Sequence, residues 1–214
     1  MTPAARLAAA IEVFADIEAR RRPAADALKD WGLSHRFAGS GDRSAIGSLV
    51  YDSLRKKASA SWLMRESTPR AALLGALALA RGFDGAAVAA LCTGEGHAPS
   101  LLSAQERAHL DARSLEGAPL HVRADIPEFL APAFEASLGD SAEGEGRALS
   151  ERAPVDLRAN LFKAPRDALA AKLAHLSPVP PPAHRSSTCI PGLALESSEA
   201  NCEPSSCTSN IPLI

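Results

Sequence analysis

Apolar positions recur every three to four residues along most of the first 150 positions, the period of helices that bury one face. Leu7, Ile11, Phe14 and Ile17 share a stripe and predict a helix over residues 4–22, with Arg6, Arg20, Arg21 and Arg22 off it. Pro23 ends that helix or opens the next, a short one that buries Leu28 and Trp31 and takes Gly32 as its stop. His35 to Gly41 is a loop. Ile46, Leu49, Val50 and Leu54 then predict a helix within residues 41–57, its start capped by Asp42 and its end carrying Arg55, Lys56 and Lys57 in a row. Another short helix covers Ala58 to Met64 with Trp62 as its bulky anchor.

Further along, Thr68-Pro69 reads as an N-cap followed by proline at the first helical position. Leu73, Leu74, Leu77 and Leu79 with intervening alanines make that helix apolar nearly all round, which places it at the centre of a bundle; Gly82 closes it. A short helix at Gly85–Leu91 and a plain inter-helix loop at Thr93–Gly96 follow. Ser103-Ala104-Gln105-Glu106 matches a capping box ahead of a helix to about Arg113. Ile126-Pro127-Glu128-Phe129-Leu130 opens a helix to Leu138, stopped by Gly139, and one more covers Ser141 to Arg152. Residues 1–152 are thus expected to form one all-α helical domain.

At Pro154 the period changes. Val155, Leu157, Ala159 and Leu161 alternate with Asp156, Arg158 and Asn160, the signature of a half-buried strand, and Pro165 opens a helix with Leu169, Leu173 and Leu176. Residues 153–178 thus look like the start of a second domain, and a lone strand and helix need more sheet to bury their faces. Residues 179–214, rich in Pro, then Ser, Thr, Cys and Asn, have no period and are expected to be disordered.

Composition sharpens this picture. Only 4% of residues are aromatic while alanine is abundant, which favours closely packed helices over β-sandwiches. The net charge of −2 hides an asymmetry: residues 1–65 hold eleven Lys/Arg against seven Asp/Glu, and residues 66–154 hold seven against thirteen. Leu7 to Ala15 is interrupted by charge and is no signal peptide, and Ala71 to Ala80 is too short to span a bilayer, so a soluble cytoplasmic protein is expected. Cys92 stands alone in the globular part as a small core residue, apart from Cys189, Cys202 and Cys207, which is not a secreted disulfide framework. His184 with those three cysteines lacks the spacing and hairpin of a zinc site, and Thr93-Gly94-Glu95-Gly96-His97 lacks the strand and lysine of a phosphate loop; no metal or cofactor is expected.

A helix with an arginine at its entrance and a basic cluster at its exit is either a surface helix with a solvated end or the face of a helical RNA-binding domain. On the second reading Arg6, Arg20, Arg21, Arg22, Arg43, Arg55, Lys56 and Lys57 contact phosphates, which position an RNA without reading its sequence.

Asp42-Arg43 and Leu49-Val50-Tyr51-Asp52-Ser53-Leu54-Arg55 resemble the signature helix of the NusB-like domain, with Asp52 where that pattern has glycine. This domain occurs in an antitermination factor and at the N-terminus of the Sun/RsmB (NOL1/NOP2/Sun) family of ribosomal RNA cytosine-C5 methyltransferases. The Pro69–Leu77 helix and the Ile126–Leu130 start are similar to the methyltransferase branch. So is Asp156-Leu157-Arg158-Ala159-Asn160-Leu161-Phe162-Lys163, which resembles the segment opening the methyltransferase portion. The resemblance covers residues 1–178. It implies a NusB-like bundle that recruits 16S ribosomal RNA, with Arg158 and Lys163 extending the RNA surface. The family continues into a domain that binds S-adenosylmethionine and carries two catalytic cysteines, one following a proline. No Pro-Cys occurs here, and Thr188-Cys189 has the wrong neighbours, so no catalytic residue is assigned and no methyl transfer is expected. The tail is compatible with a shifted reading frame: Pro182-Ala183-His184-Arg185 can be encoded CCT GCG CAT CGN, and the frame one base later contains CTG CGC ATC, Leu-Arg-Ile, the kind of run the family shows next. The alternatives are a NusB-like module that binds a protein partner in antitermination, or a truncated product without function.

Overall fold

A computed structural model describes residues 1–153, 155–179 and 187–190, with backbone alone at Asp156 and at 187–190. The chain divides into two units, Met1–Ala153 and Pro154–Ile214.

The first unit is all-α. Helix α1 (Pro3–Arg20) starts on Thr2, whose hydroxyl accepts the Ala5 N–H. After it come α2 (Ala24–Ser34), α3 (Ser40–Arg55), α4 (Lys57–Met64), α5 (Pro69–Arg81), α6 (Gly85–Leu91) and α7 (Ala104–Ala112). A single turn, α8 (Leu120–Arg123), a 3-10 turn at Glu128–Leu130, α9 (Ala131–Leu138) and α10 (Ala142–Ser150) complete the unit. The start signals at Thr68 and Ser103 hold in atomic detail: Thr68 Oγ1 accepts from Ala71 N–H, and Ser103 and Glu106 form the reciprocal box. Gly82 closes α5 in the left-handed conformation at φ 70°.

Three expectations are corrected. Gly32 does not stop α2, which runs on to Ser34; the Arg43 side chain lies over the glycine, 3.5 Å from where a β-carbon would stand, an ordinary contact distance. Asp42 does not cap α3. The helix begins earlier, at Ser40 after Gly39, and the Asp42 carboxylate instead takes the Met1 ammonium at 3.1 Å and Arg6 at 2.8 Å, tying the chain's start to α3. Trp62 does not anchor α4: the helix turns Ser59, Ala60, Leu63 and Met64 inward and leaves the indole 38% exposed. Helix α8, four residues long, is too short to show a period in the sequence.

α5 is the hub, packing on α1, α3 and α4. Leu73, Leu74 and Leu77 meet Leu7, Val13 and Phe14 of α1, Ile46 and Val50 of α3, and Val88 and Cys92 from the α6 end in one buried cluster. The approach of α4 to α5 is set by Gly75: a β-carbon there would fall 2.7 Å from Ala60 Cβ and 2.8 Å from the Ala60 backbone. Among the described residues no helix is long and apolar enough to cross a membrane.

In the second unit, β1 (Val155–Arg158) pairs antiparallel with β2 (Ser187–Ile190), Val155 opposite Ile190 and Arg158 opposite Ser187. β2 lies inside the stretch expected to have no structure; the rest of residues 180–214 is outside the described residues. β1 is shorter than the alternating pattern because Asn160 turns the chain, its side chain accepting the Phe162 N–H at 3.1 Å and its carbonyl the Lys163 and Ala164 N–H groups. Helix α11 (Arg166–Lys172) follows, then a 3-10 turn at Ala174–Leu176.

The Gly75 contact gives a paired test. Gly75→Ala drives a methyl into the α4 backbone and should cost about 1–3 kcal/mol. Gly144→Ala, on the exposed side of α10 with nothing within 4 Å, should add about 0.5–1 kcal/mol. Urea denaturation of the two variants checks both signs.

Candidate nucleic-acid interface

Successive residues of a helix point about 100° apart, so three cations in a row cannot form one patch while the chain stays helical. At the α3–α4 junction they separate completely. Arg55 folds back on Asp52 at 2.6 Å, and the other oxygen of that carboxylate takes Arg81 of α5 at 2.7 Å. Lys56 turns inward, donating to Ser150 Oγ at 2.6 Å with Asp125 at 3.8 Å. Lys57 reaches Glu18 of α1 at 2.6 Å.

Most of the remaining candidate cations are also engaged. Arg6 pairs with Asp42, Arg20 with Asp16 at 2.8 Å, and Arg22 with both Asp16 and Asp30. The hydrogen bond from Arg22 holds the Asp30 carboxyl below its usual range, and that from Arg6 does the same for Asp42. Arg43 donates to the Ala38 carbonyl at 2.9 Å. Arg21 sits in the left-handed turn that ends α1, exposed and with no side-chain partner among the described residues. Arg158 and Lys163 belong to the second unit, at the end of β1 and in the Asn160 turn, both exposed.

What the first unit does assemble is an open cleft of about 1020 Å³ between the end of α3, α4, α8 and the following turn. Arg55 and Lys57 line it, joined by residues the sequence reading had not connected: Trp62 and Arg65 from α4 and its end, and His121 from α8. Arg65 closes α4 at φ 52°, its N–H bonded to the Trp62 carbonyl, so the two side chains leave adjacent turns of one backbone. The spacing Leu54, Ala58, Trp62, Arg65 is a helical stripe on paper; the anchor role assigned to Trp62 concealed it.

The chain matches no family model and no curated protein. At the mouth of the cleft Lys57 and Arg65 are both exposed.

Its floor is acidic and tied down. Asp125, at φ 52°, is only 4% exposed in its side chain and accepts the Ser59 N–H at 2.9 Å and the Ser59 hydroxyl at 2.7 Å. Burial pushes the Asp125 carboxyl above its usual pKa, outweighing the Ser59 hydrogen bonds and the Lys56 charge that oppose it. The Asp125–Ser59–Lys56–Ser150 network thus fastens the α3–α4 junction to α8 and α10. Cys92 is fully buried, with its thiol pushed up by burial, and is no nucleophile. Among the described residues no group of three or more His, Cys, Asp or Glu is placed to hold a metal ion.

Because the folded chain holds the Asp125 proton more tightly than the unfolded chain, this group contributes stability that is full below the unfolded pKa of about 3.9 and is lost as pH rises through the folded value. The unfolding free energy of the native chain minus that of Asp125→Asn should therefore fall between about pH 4 and pH 7. Urea denaturation across that range reads the slope; a rising difference contradicts the assignment.

Proposed function

We propose that the chain binds RNA through the α4 cleft, as a recruitment module of the kind that precedes a ribosomal RNA methyltransferase. The observation that carries this is the gathering of Arg55, Lys57, Arg65 and His121 with an exposed indole on one concave surface. The basic balance of residues 1–65 and the likeness of the Asp42–Arg55 stretch to the NusB-like signature support the same reading. Cations at the mouth contact phosphates, so binding is salt-sensitive and reads little sequence. Asp52 moderates it by holding both Arg55 and Arg81. On this reading the chain holds RNA for chemistry done elsewhere.

A second reading, docking of a protein, has its own observation. Between the start of α1 and the loops at 35–38 and 93–98 lies a groove of about 760 Å³ with Phe37 73% exposed at its edge and His35 stacked on Trp31 at 4.2 Å.

Charge reversal separates the two. Arg55→Glu, Lys57→Glu and Arg65→Glu together should strongly weaken RNA binding at moderate salt and, at the low salt where it is still measured, flatten the salt dependence by about 1 per lost contact, with helicity unchanged. Lys56 is left alone, because a carboxylate there would face buried Asp125 and break the fold. Asp52→Asn should tighten binding about 2- to 5-fold by releasing two arginines. Fluorescence anisotropy with a labelled ribosomal RNA fragment reads both; unchanged affinity in the triple variant favours the protein-docking surface. With labelled S-adenosylmethionine and ribosomal RNA, the purified chain should give no methylated product.

A further inference from the structure

We infer that the cleft takes one unpaired nucleobase, stacked on Trp62, with the phosphates on either side of it held by Lys57 and Arg65. The inference rests on the RNA reading and narrows it to looped or single-stranded RNA.

Three observations converge. First, Trp62 is 38% exposed on a helix whose other large apolar side chains, Leu63 and Met64, are buried, and its indole N–H has no acceptor among the described residues. An indole lying open beside cations is a platform for a base, since every base offers a π-face. Second, charge is arranged by depth. The Asp125 side chain is 4% exposed, while the Lys57 side chain, its ammonium on Glu18, is 53% exposed and Arg65 stands at the surface. A phosphate driven inward would meet a buried acid, whereas one at the mouth meets the two cations; the neutral base is the part that can go in. Exposed Glu128, across the cleft, keeps the strand on the α4 side. Third, a cleft of about 1020 Å³ has the size of a small-ligand site. A duplex keeps its bases stacked within it and offers side chains mainly sugar and phosphate, so it cannot fill such a cleft.

The test uses the full chain with Trp31→Phe, which leaves Trp62 as the one tryptophan. A single-stranded oligoadenylate of about ten residues should quench its emission saturably, and a perfect RNA duplex of about 16 base pairs should not. In the otherwise native chain, Trp62→Ala should weaken oligoadenylate binding about 10-fold by anisotropy and leave duplex binding unchanged, which keeps the test independent of how Trp31→Phe folds. Oligoadenylate binding without quenching and without a Trp62→Ala effect overturns the stacked base while leaving RNA binding through the cations intact. Equal or tighter duplex binding overturns it as well. If neither RNA binds, both readings fall together.

Discussion

The first unit depends on how closely α4 can lie on α5. At Ala60 and Gly75 the two backbones are separated by less than a side chain, so the helices are set by main chain against main chain rather than by interlocking of large groups. An aromatic-poor chain can build a dense core in this way, because dispersion rises steeply as surfaces close and small residues let whole helices approach. The contact also fixes the rotation of α4. With Ala60 against α5, Leu63 and Met64 must turn into the core and Trp62 must turn out, so the position of the cleft's indole follows from the glycine on α5.

Local chemistry explains which parts of this were legible in the sequence. Helix starts at Thr68 and Ser103 could be read because their partners lie three residues away and the hydrogen bonds are made within the same turn. The central place of α5 could be read because a helix apolar on all sides has only one environment that suits it. Asp42 and Gly32 misled for a complementary reason. Each is a residue type with a strong local preference, a cap and a stop, and neither preference is used: the Asp42 carboxylate is taken by the Met1 ammonium and Arg6, and α2 continues through Gly32 to Ser34. Trp62 was misjudged because burial of a tryptophan is the commoner outcome, and periodicity alone does not say which of two adjacent faces a short helix turns inward. β2 could not be read at all, since a four-residue strand in a Ser- and Pro-rich context has no period of its own and exists through β1.

The candidate site shows the same division. Arg55, Lys56 and Lys57 look like one basic cluster in the sequence, yet the geometry sends them to Asp52, to Ser150 and Asp125, and to Glu18. A run of like charges at a helix end is dispersed by helical rotation, and each member then finds the nearest acid. Runs therefore report where charge is placed along the chain, while surfaces are made by residues one helical turn apart, here Trp62 and Arg65.

This dispersal is also what makes the cleft usable. Had all three cations remained together, one would still have faced the interior, and an unpaired ammonium there is costly. Asp125 removes that difficulty by accepting Ser59 and lying within reach of Lys56, and burial raises its own pKa as the consequence. The same carboxylate then makes the depth of the cleft unfavourable for a second anion. Exposed Lys57 and Arg65 are left to act at the mouth, where solvent weakens the Lys57–Glu18 pair and a polyanion can compete for both cations. A fold that must neutralise an inward lysine thereby sorts charge by depth, and on the proposed RNA reading that sorting leaves the interior to a neutral base and the mouth to phosphates.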